Sequence, residues 1–219
     1  MKKLLILLFS ILIAWYFLYP SVSFLREQKN QTSPKLDFSS DTFCTESPKV
    51  EVRNGLFYLL NQQEPYSGEN ICVHKSNGKY YIQGGINKGL RYGKWTRWYE
   101  NGQKWSEGNY KDDKRDGKWT SWYWYGNGKI MSESNYKDDK LEGKETDWYL
   151  NGQIEAEVNY KNGKRDGKQT NWYENGQKRY EGNYKNGNLD GKYIKWNENG
   201  QIKSEATYKD GGCISGDCD

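Results

Sequence analysis

One stretch, Gly93–Lys114 (GKWTRWYENGQKWSEGNYKDDK), recurs to the end of the chain with small edits, and nothing else in the sequence restricts the fold as tightly. Further copies begin at Gly117, Gly143, Gly167 and Gly191, stepping by 24 residues except where the second copy has gained two. The recurrent positions read G-K-x-x-x-W-Y-x-N-G, then Glu, then Tyr, with Asn197 in place of the first tyrosine in the last copy. The invariant tryptophans are Trp98, Trp122, Trp148, Trp172 and Trp196. A period in this range marks an array of one supersecondary unit that cannot bury its apolar face alone.

Within each copy, two short runs rich in aromatics and threonine, such as Lys94–Tyr99 and Lys104–Tyr110, flank an Asn-Gly pair. That is the strongest short-range signal for a β-hairpin. A one-residue slip would exchange the two faces. In the third copy, Ile154, Ala156, Val158 and Tyr160 alternate with polar residues. A three-residue loop pairing Tyr149 with Gln153 places these four on one face with Thr146 and Trp148, the expected buried face. The opposite face is then expected to hold the columns that differ between copies: Trp95, Trp119, Glu145, Gln169 and Tyr193, and Trp105, Met131, Glu155, Arg179 and Lys203. The recurrent glutamates, Glu107 to Glu205, are expected on that outer face as cross-strand partners for lysines.

A single hairpin gains about 1.5–3 kcal/mol per large side chain buried, against about 1–2 kcal/mol of backbone entropy per residue ordered. Neighbouring copies must therefore share a sheet. The expected fold is all-β: tandem hairpins forming an elongated, twisted antiparallel sheet, preceded by an N-terminal hydrophobic helix. Ten strands at about 4.8 Å spacing span about 48 Å. The mean hydropathy of −1.13 is too polar for a thick core, and the 16% of aromatic residues compensate, since Trp and Tyr bury area while keeping a polar edge wet. The 33 basic and 29 acidic residues interleave, so the net charge of +4 forms no phosphate-binding stripe, and no nucleic-acid partner is expected.

Residues 1–25 carry Lys2, Lys3 and an apolar run, Leu4–Tyr19. This is an export segment. The run spans about 24 Å as a helix, or about 33 Å when extended to Leu25, against a hydrocarbon core of about 30 Å. The expectation is an uncleaved signal anchor in the membrane with the repeats on the non-cytoplasmic side; a cleaved signal peptide, leaving a periplasmic or secreted protein, is the alternative. Residues 26–48 form a polar linker. Residues 49–92 comprise a lead-in hairpin around Asn54-Gly55 and a degenerate first repeat from Gly68, residues 93–209 the five repeats, and residues 210–219 a cysteine-containing cap. The insertion in the second repeat sets Trp124 and Tyr125 at a loop tip, where they either form a binding knob or fold back over the neighbouring hairpin.

Four cysteines behind an export segment favour disulfides. Cys213–Cys218 would close a terminal loop and Cys44–Cys72 would staple the linker to the first repeat, one of three possible connectivities. With no CxxC pair and His74 the sole histidine, no metal site or cofactor is expected. A nucleophilic triad would have to use His74, which has no partner motif beside it. Five equivalent glutamates do not supply the two unlike acids of a glycosidase. No P-loop, GxGxxG or HExxH occurs, and the chain is not expected to be an enzyme.

The unit G-K-x-x-x-W-Y-x-N-G-Q-x-x-x-E-x-x-Y-K-x-G resembles the MORN-repeat variant of bacterial, often antitoxin-like, proteins. The resemblance spans Gly68–Lys209, and Arg53-Asn54-Gly55-Leu56 with Pro65-Tyr66-Ser67-Gly68 is similar to the family's lead-in. It implies β-hairpins in an extended sheet, a scaffolding role and, less directly, phospholipid contact. The antitoxin label implies a cytosolic partner, from which the export segment departs.

The expected function is a non-catalytic scaffold or binding protein of the cell envelope that recognises another protein through the outer aromatic face. The site is expected at Trp95, Arg97, Trp105, Trp119, Trp124, Tyr125 and Met131, because Trp, Tyr and Arg are preferred interface anchors. Glycan or peptidoglycan binding through exposed aromatics and antitoxin or immunity action against one toxin are the alternatives.

Overall fold

The computed structural model describes residues 44–47, 49–74 and 76–218. The expected helix over 1–25 and most of the linker lie outside them. Among the described residues every regular element is a β-strand. Strands β1 (Val50–Arg53) and β2 (Leu56–Leu59) form a separate hairpin. Strands β3 (Gly68–Val73) and β4 (Tyr80–Asn87) begin a fifteen-stranded sheet in which long strands pair antiparallel with their neighbours in chain order. The five repeats supply its ten central strands, from Leu90–Trp98 to Ile202–Lys209, and Gly212–Gly216 forms the far edge.

The local chemistry explains the meander. In each regular hairpin the glycine of Asn-Gly takes a left-handed conformation, with φ of 88° at Gly102 and 92° at Gly152. Tyr149 N donates to Gln153 O at 2.9 Å and Gly152 N to Tyr149 O at 2.8 Å, closing the three-residue loop that the sequence implies. The asparagine fixes that loop and joins it to the next. Asn151 Oδ1 accepts from Gln153 N at 2.9 Å, while Asn151 Nδ2 donates to Glu174 O, one repeat on, at 3.1 Å. Between hairpins the chain reverses in two residues, both with positive φ, as at Asp112 (49°) and Asp113 (66°) or Asn162 (52°) and Gly163 (80°). These are the dihedral signs of a type I′ turn, which suits strand twist and Asp, Asn and Gly.

The loop register matches expectation, but the assignment of faces does not. Trp148 pairs with Ile154, yet Asp147 pairs with Ala156, so Glu155 is an extra residue and the strand bulges there. The same bulge recurs at Trp105, Met131, Arg179 and Lys203. A bulge shifts alternation by one. Thr146, Trp148 and Ile154 therefore share a face with Glu157, whereas Ala156, Val158 and Tyr160 share the other with Glu145.

On that second face, here the Trp95 face, one row runs Trp95, Gly108, Trp119, Ser134, Glu145, Val158, Gln169, Gly182, Tyr193, Ala206. Large side chains on outgoing strands lie beside small ones on return strands. A Cβ at Gly108 would run into the Trp119 indole, and one at Gly84 into Trp95. Edge-on contacts continue the packing, with Trp95–Tyr110 at 5.7 Å and Tyr110–Trp119 at 5.1 Å between centroids. Trp95 is only 4% exposed and belongs to a core cluster with Cys72, Ile82, Ile86 and Tyr110, flanked by Val50 and Phe57 of the β1–β2 hairpin. The row expected to be solvent-facing is thus the buried one.

The opposite Trp98 face carries an unbroken row of Thr96, Glu107, Thr120, Glu133, Thr146, Glu157, Thr170, Glu181, Ile194 and Glu205. Each glutamate pairs with the lysine of its own G-K: Lys94–Glu107 at 2.9 Å, Lys118–Glu133 at 2.7 Å, Lys144–Glu157, Lys168–Glu181 at 3.0 Å and Lys192–Glu205 at 2.9 Å. Burial alone would raise the Glu107 carboxyl, but hydrogen bonds from Lys104 and Lys94 outweigh it and hold the group below its ordinary value.

Adjacent repeats are also bonded at their rims. Tyr99, Tyr123, Tyr149 and Tyr173 donate their hydroxyls to the carbonyls of Trp122, Trp148, Trp172 and Trp196, at 2.6 to 2.9 Å. At the ends, a disulfide joins Cys44 to Cys72 in β3, where Thr45 N also donates to the buried Asn70 Oδ1 at 2.7 Å. A second joins Cys213, in the last strand, to Cys218.

Candidate binding surface

The residues singled out by sequence divide sharply once the bulge is placed. Trp95 is buried, and Trp119 is half-buried with its Nε1 donating to Asn109 O at 3.2 Å. Neither offers a docking anchor. Trp105 (43% exposed), Trp124 (38%), Tyr125 (85%) and Met131 (37%) remain accessible. Trp105 and Met131 occupy the bulge position, which points an extra side chain outward on the Trp95 face beside the loop rim.

Trp105 and Trp124 gather around Tyr99, a residue the sequence reading left out, whereas Met131 stands apart from them at the bulge of the next hairpin. The Tyr99 ring lies 6.0 Å from Trp105 and 4.7 Å from Trp124, the latter edge-on, and Tyr125 continues the series 6.1 Å from Trp124. The two readings of the loop tip are both realised: Trp124 folds back on the preceding hairpin while Tyr125 projects. Arg97 sits across the sheet from Ile82 and Ser106, with its guanidinium carbon 5.6 Å from the Trp105 ring centre.

Arg97, Tyr99, Trp105 and Trp124 line an open groove of about 580 Å³, completed by Glu46, His74, Tyr81, Ile82, Trp98 and Glu100. His74 lies 4.9 Å from Tyr81 and its Nε2 has no hydrogen-bond partner. Tyr81 donates to Glu46 at 2.6 Å, and burial together with that carboxylate pushes its hydroxyl up to about 12. Glu100 accepts from Ser76 at 2.6 Å. The groove is therefore an apolar, aromatic surface with a cation at its floor and carboxylates already engaged. The signal available for Tyr99, Tyr81 and His74 was positional: each lies two or three residues from the Asn-Gly pair of its hairpin.

Further along the Trp95 face the groove chemistry gives way to acids. Asp147, half-buried and beside Glu145 and Glu155, has its carboxyl pushed up to about 6, by burial first and by those two charges second. Glu145 accepts from Ser134 at 2.9 Å. Among the described residues no group of His, Cys, Asp and Glu is placed to hold a metal ion.

A family model described as the MORN repeat variant matches residues 91–112, 115–138, 141–162, 165–186 and 189–210. Each match covers one hairpin and ends on the first residue of the two-residue reversal after it. No curated protein matches the chain.

Proposed function

Because the chain belongs to the MORN repeat variant family, a repeat-based binding or scaffold module, we propose that it is a non-catalytic protein that recognises a partner protein through the aromatic groove of its first two repeats. The observation carrying this reading is the cluster of accessible Trp105 and Trp124 around Tyr99 and Arg97, extended by Tyr125 beside Trp124. Aromatic and arginine side chains gathered in one partly desolvated depression are the usual composition of an interface hot spot. The corresponding bulge positions in later repeats are Glu155, Arg179 and Lys203, so recognition concentrates at the N-terminal end of the array.

The proposed location is the cell envelope, with residues 1–25 as the membrane anchor and the repeats outside the cytoplasm. The apolar N-terminal run and two disulfides support this, since disulfides persist in oxidising compartments.

The test is capture from native membranes and culture fluid with mass-spectrometric identification, comparing wild type with a Trp105→Ser, Trp124→Ser, Tyr125→Ser triple variant of unchanged circular dichroism. A Lys203→Ser variant serves as the distant control. A protein retained by wild type and control but lost by the triple variant is the expected result. Equal recovery by all three would remove the groove from the interface.

A further inference from the structure

We propose that Asn127, in the loop lengthened by the insertion, is a modification site: it is converted spontaneously to aspartate or isoaspartate, while the Asn-Gly pairs elsewhere in the fifteen-stranded sheet are held against the same reaction. The chain contains nine Asn-Gly pairs. In each, the residue after asparagine has no Cβ to shield its backbone nitrogen. Geometry therefore decides which of them react.

The chemistry is a cyclisation followed by hydrolysis. The Gly128 nitrogen gives up its proton and bonds to Asn127 Cγ, ammonia leaves, and a five-membered imide forms. Water then opens one of the two imide carbonyls. One opening leaves a side-chain carboxylate; the other routes the main chain through Cγ, one methylene longer, and leaves a free α-carboxylate. Water is the sole co-reactant and nothing is oxidised or reduced. Two restraints oppose the first step: a hydrogen bond that occupies the glycine N–H, and bonds that fix the carboxamide.

Five hairpin loops carry both restraints. Gly78, Gly102, Gly152, Gly176 and Gly200 each donate their N–H to the carbonyl three or four residues back, at 2.8 or 2.9 Å. The Oδ1 of Asn77, Asn101, Asn151, Asn175 and Asn199 accepts from the backbone two residues on, at 2.9 to 3.0 Å. The first four also donate Nδ2 to a carbonyl of the next hairpin, at 2.8 to 3.4 Å. In the reversals, Gly163 and Gly187 donate to Leu141 O and Arg165 O at 2.8 Å.

The insertion moves this lock off its asparagine. In the second repeat it is Gly126 that donates to Tyr123 O, at 3.4 Å, and Gly126 O that accepts from Lys129 N, at 2.9 Å. Gly128 N has no acceptor among the described residues, and Asn127 keeps a single long contact, from Gln103 Nε2 at 3.4 Å. Both residues are exposed to water. Asn54-Gly55, in the turn of the separate β1–β2 hairpin, also lacks both restraints among the described residues and is the second pair expected to react. Conversion of Asn127 puts a new negative charge in the loop that bears Trp124 and Tyr125, whether or not that loop binds a partner.

The experiment incubates the folded full chain in heavy-oxygen water at mildly alkaline pH and follows each pair by tryptic peptide mass spectrometry. The peptides Trp119–Lys129 and Trp98–Lys104 contain Asn127 and Asn101 as their only asparagines. Reaction in a locked loop first requires a local opening that breaks two or three hydrogen bonds, so Asn127 should convert at least about ten-fold faster than Asn101, Asn151 or Asn175. In denaturant the rates should converge. Deleting Tyr125 and Gly126 restores the regular loop length and should slow Asn127 to the Asn101 rate; circular dichroism checks that the deleted chain folds, and the comparison within wild type stands without it. Equal rates for Asn127 and Asn101 in the folded chain, a spread that persists in denaturant, or an unchanged rate in a folded deletion variant overturns the proposal.

Discussion

Replacing Gly108 with alanine tests the packing that decides which face is buried. The added Cβ would overlap Cδ2 and Cε2 of Trp119, whose indole is held by Tyr110 at 5.1 Å, Tyr136 at 6.4 Å and the hydrogen bond to Asn109 O. Overpacking costs about 1–3 kcal/mol. Displacing the indole forfeits about 0.5–1.5 kcal/mol of edge-on stacking and about 0.5–1.5 kcal/mol of hydrogen bonding. The smaller entropy of the unfolded alanine chain returns about 0.4–1 kcal/mol. The expected net loss is about 2–4 kcal/mol, a fall of about 5–15 °C in melting temperature for a domain of this size. Urea titration followed by far-ultraviolet circular dichroism measures it. The decisive arm is Gly108→Ala in a Trp119→Ser background, where the clash is absent and the glycine change should be neutral or slightly stabilising. If the alanine costs the same in both backgrounds, Trp119 does not lie over Gly108 and the assignment of faces is wrong.

Three other outcomes can be checked. Tyr149→Phe removes the 2.7 Å hydrogen bond to Trp172 O and should cost about 0.5–1.5 kcal/mol, with faster amide exchange confined to the third and fourth repeats. The Asp147 carboxyl, pushed up to about 6 in the fold against about 3.9 unfolded, holds its proton more tightly when folded. Its contribution to stability is therefore complete below about pH 4 and lost as pH rises through 6. Asp147→Asn should flatten the pH dependence of the melting temperature across that window and melt higher than wild type at pH 7 to 8. Cys44→Ser opens a link of sequence separation 28, worth about 3–4 kcal/mol by chain entropy, and should loosen β3 and β4 in hydrogen exchange while leaving the last repeats unchanged.

The repeat, its hairpins and the three-residue loop were legible because Asn-Gly and the Trp-Tyr pair carry local backbone preferences that neighbours only reinforce. The bulge was not. It inserts one residue with no fixed identity, Trp105 in one copy and Glu155, Arg179 or Lys203 in others, so no local preference announces it. Alternation of Ile154, Ala156, Val158 and Tyr160 reads straight through it. The clue lay in the return strands, where Gly108, Ser134, Val158, Gly182 and Ala206 stay small in every copy, as a column packed under large cross-strand neighbours must. The same slip explains the candidate site: Trp105, Trp124, Tyr125 and Met131 kept their exposure, whereas Trp95 and Trp119 exchanged a binding role for a packing one.

The rim bonds link each tyrosine to the tryptophan of the next repeat, 23 or 25 positions later, and the longer separation belongs to the copy with the two-residue insertion. Tyr123 reaches Trp148 O as well as Tyr99 reaches Trp122 O. Unequal recombination that duplicated or deleted one unit would therefore meet the same donors and acceptors at the new junction, with no second change needed to heal it. The number of hairpins is free to drift over generations while the two disulfide-closed ends stay the same, making length a heritable variable separate from foldability.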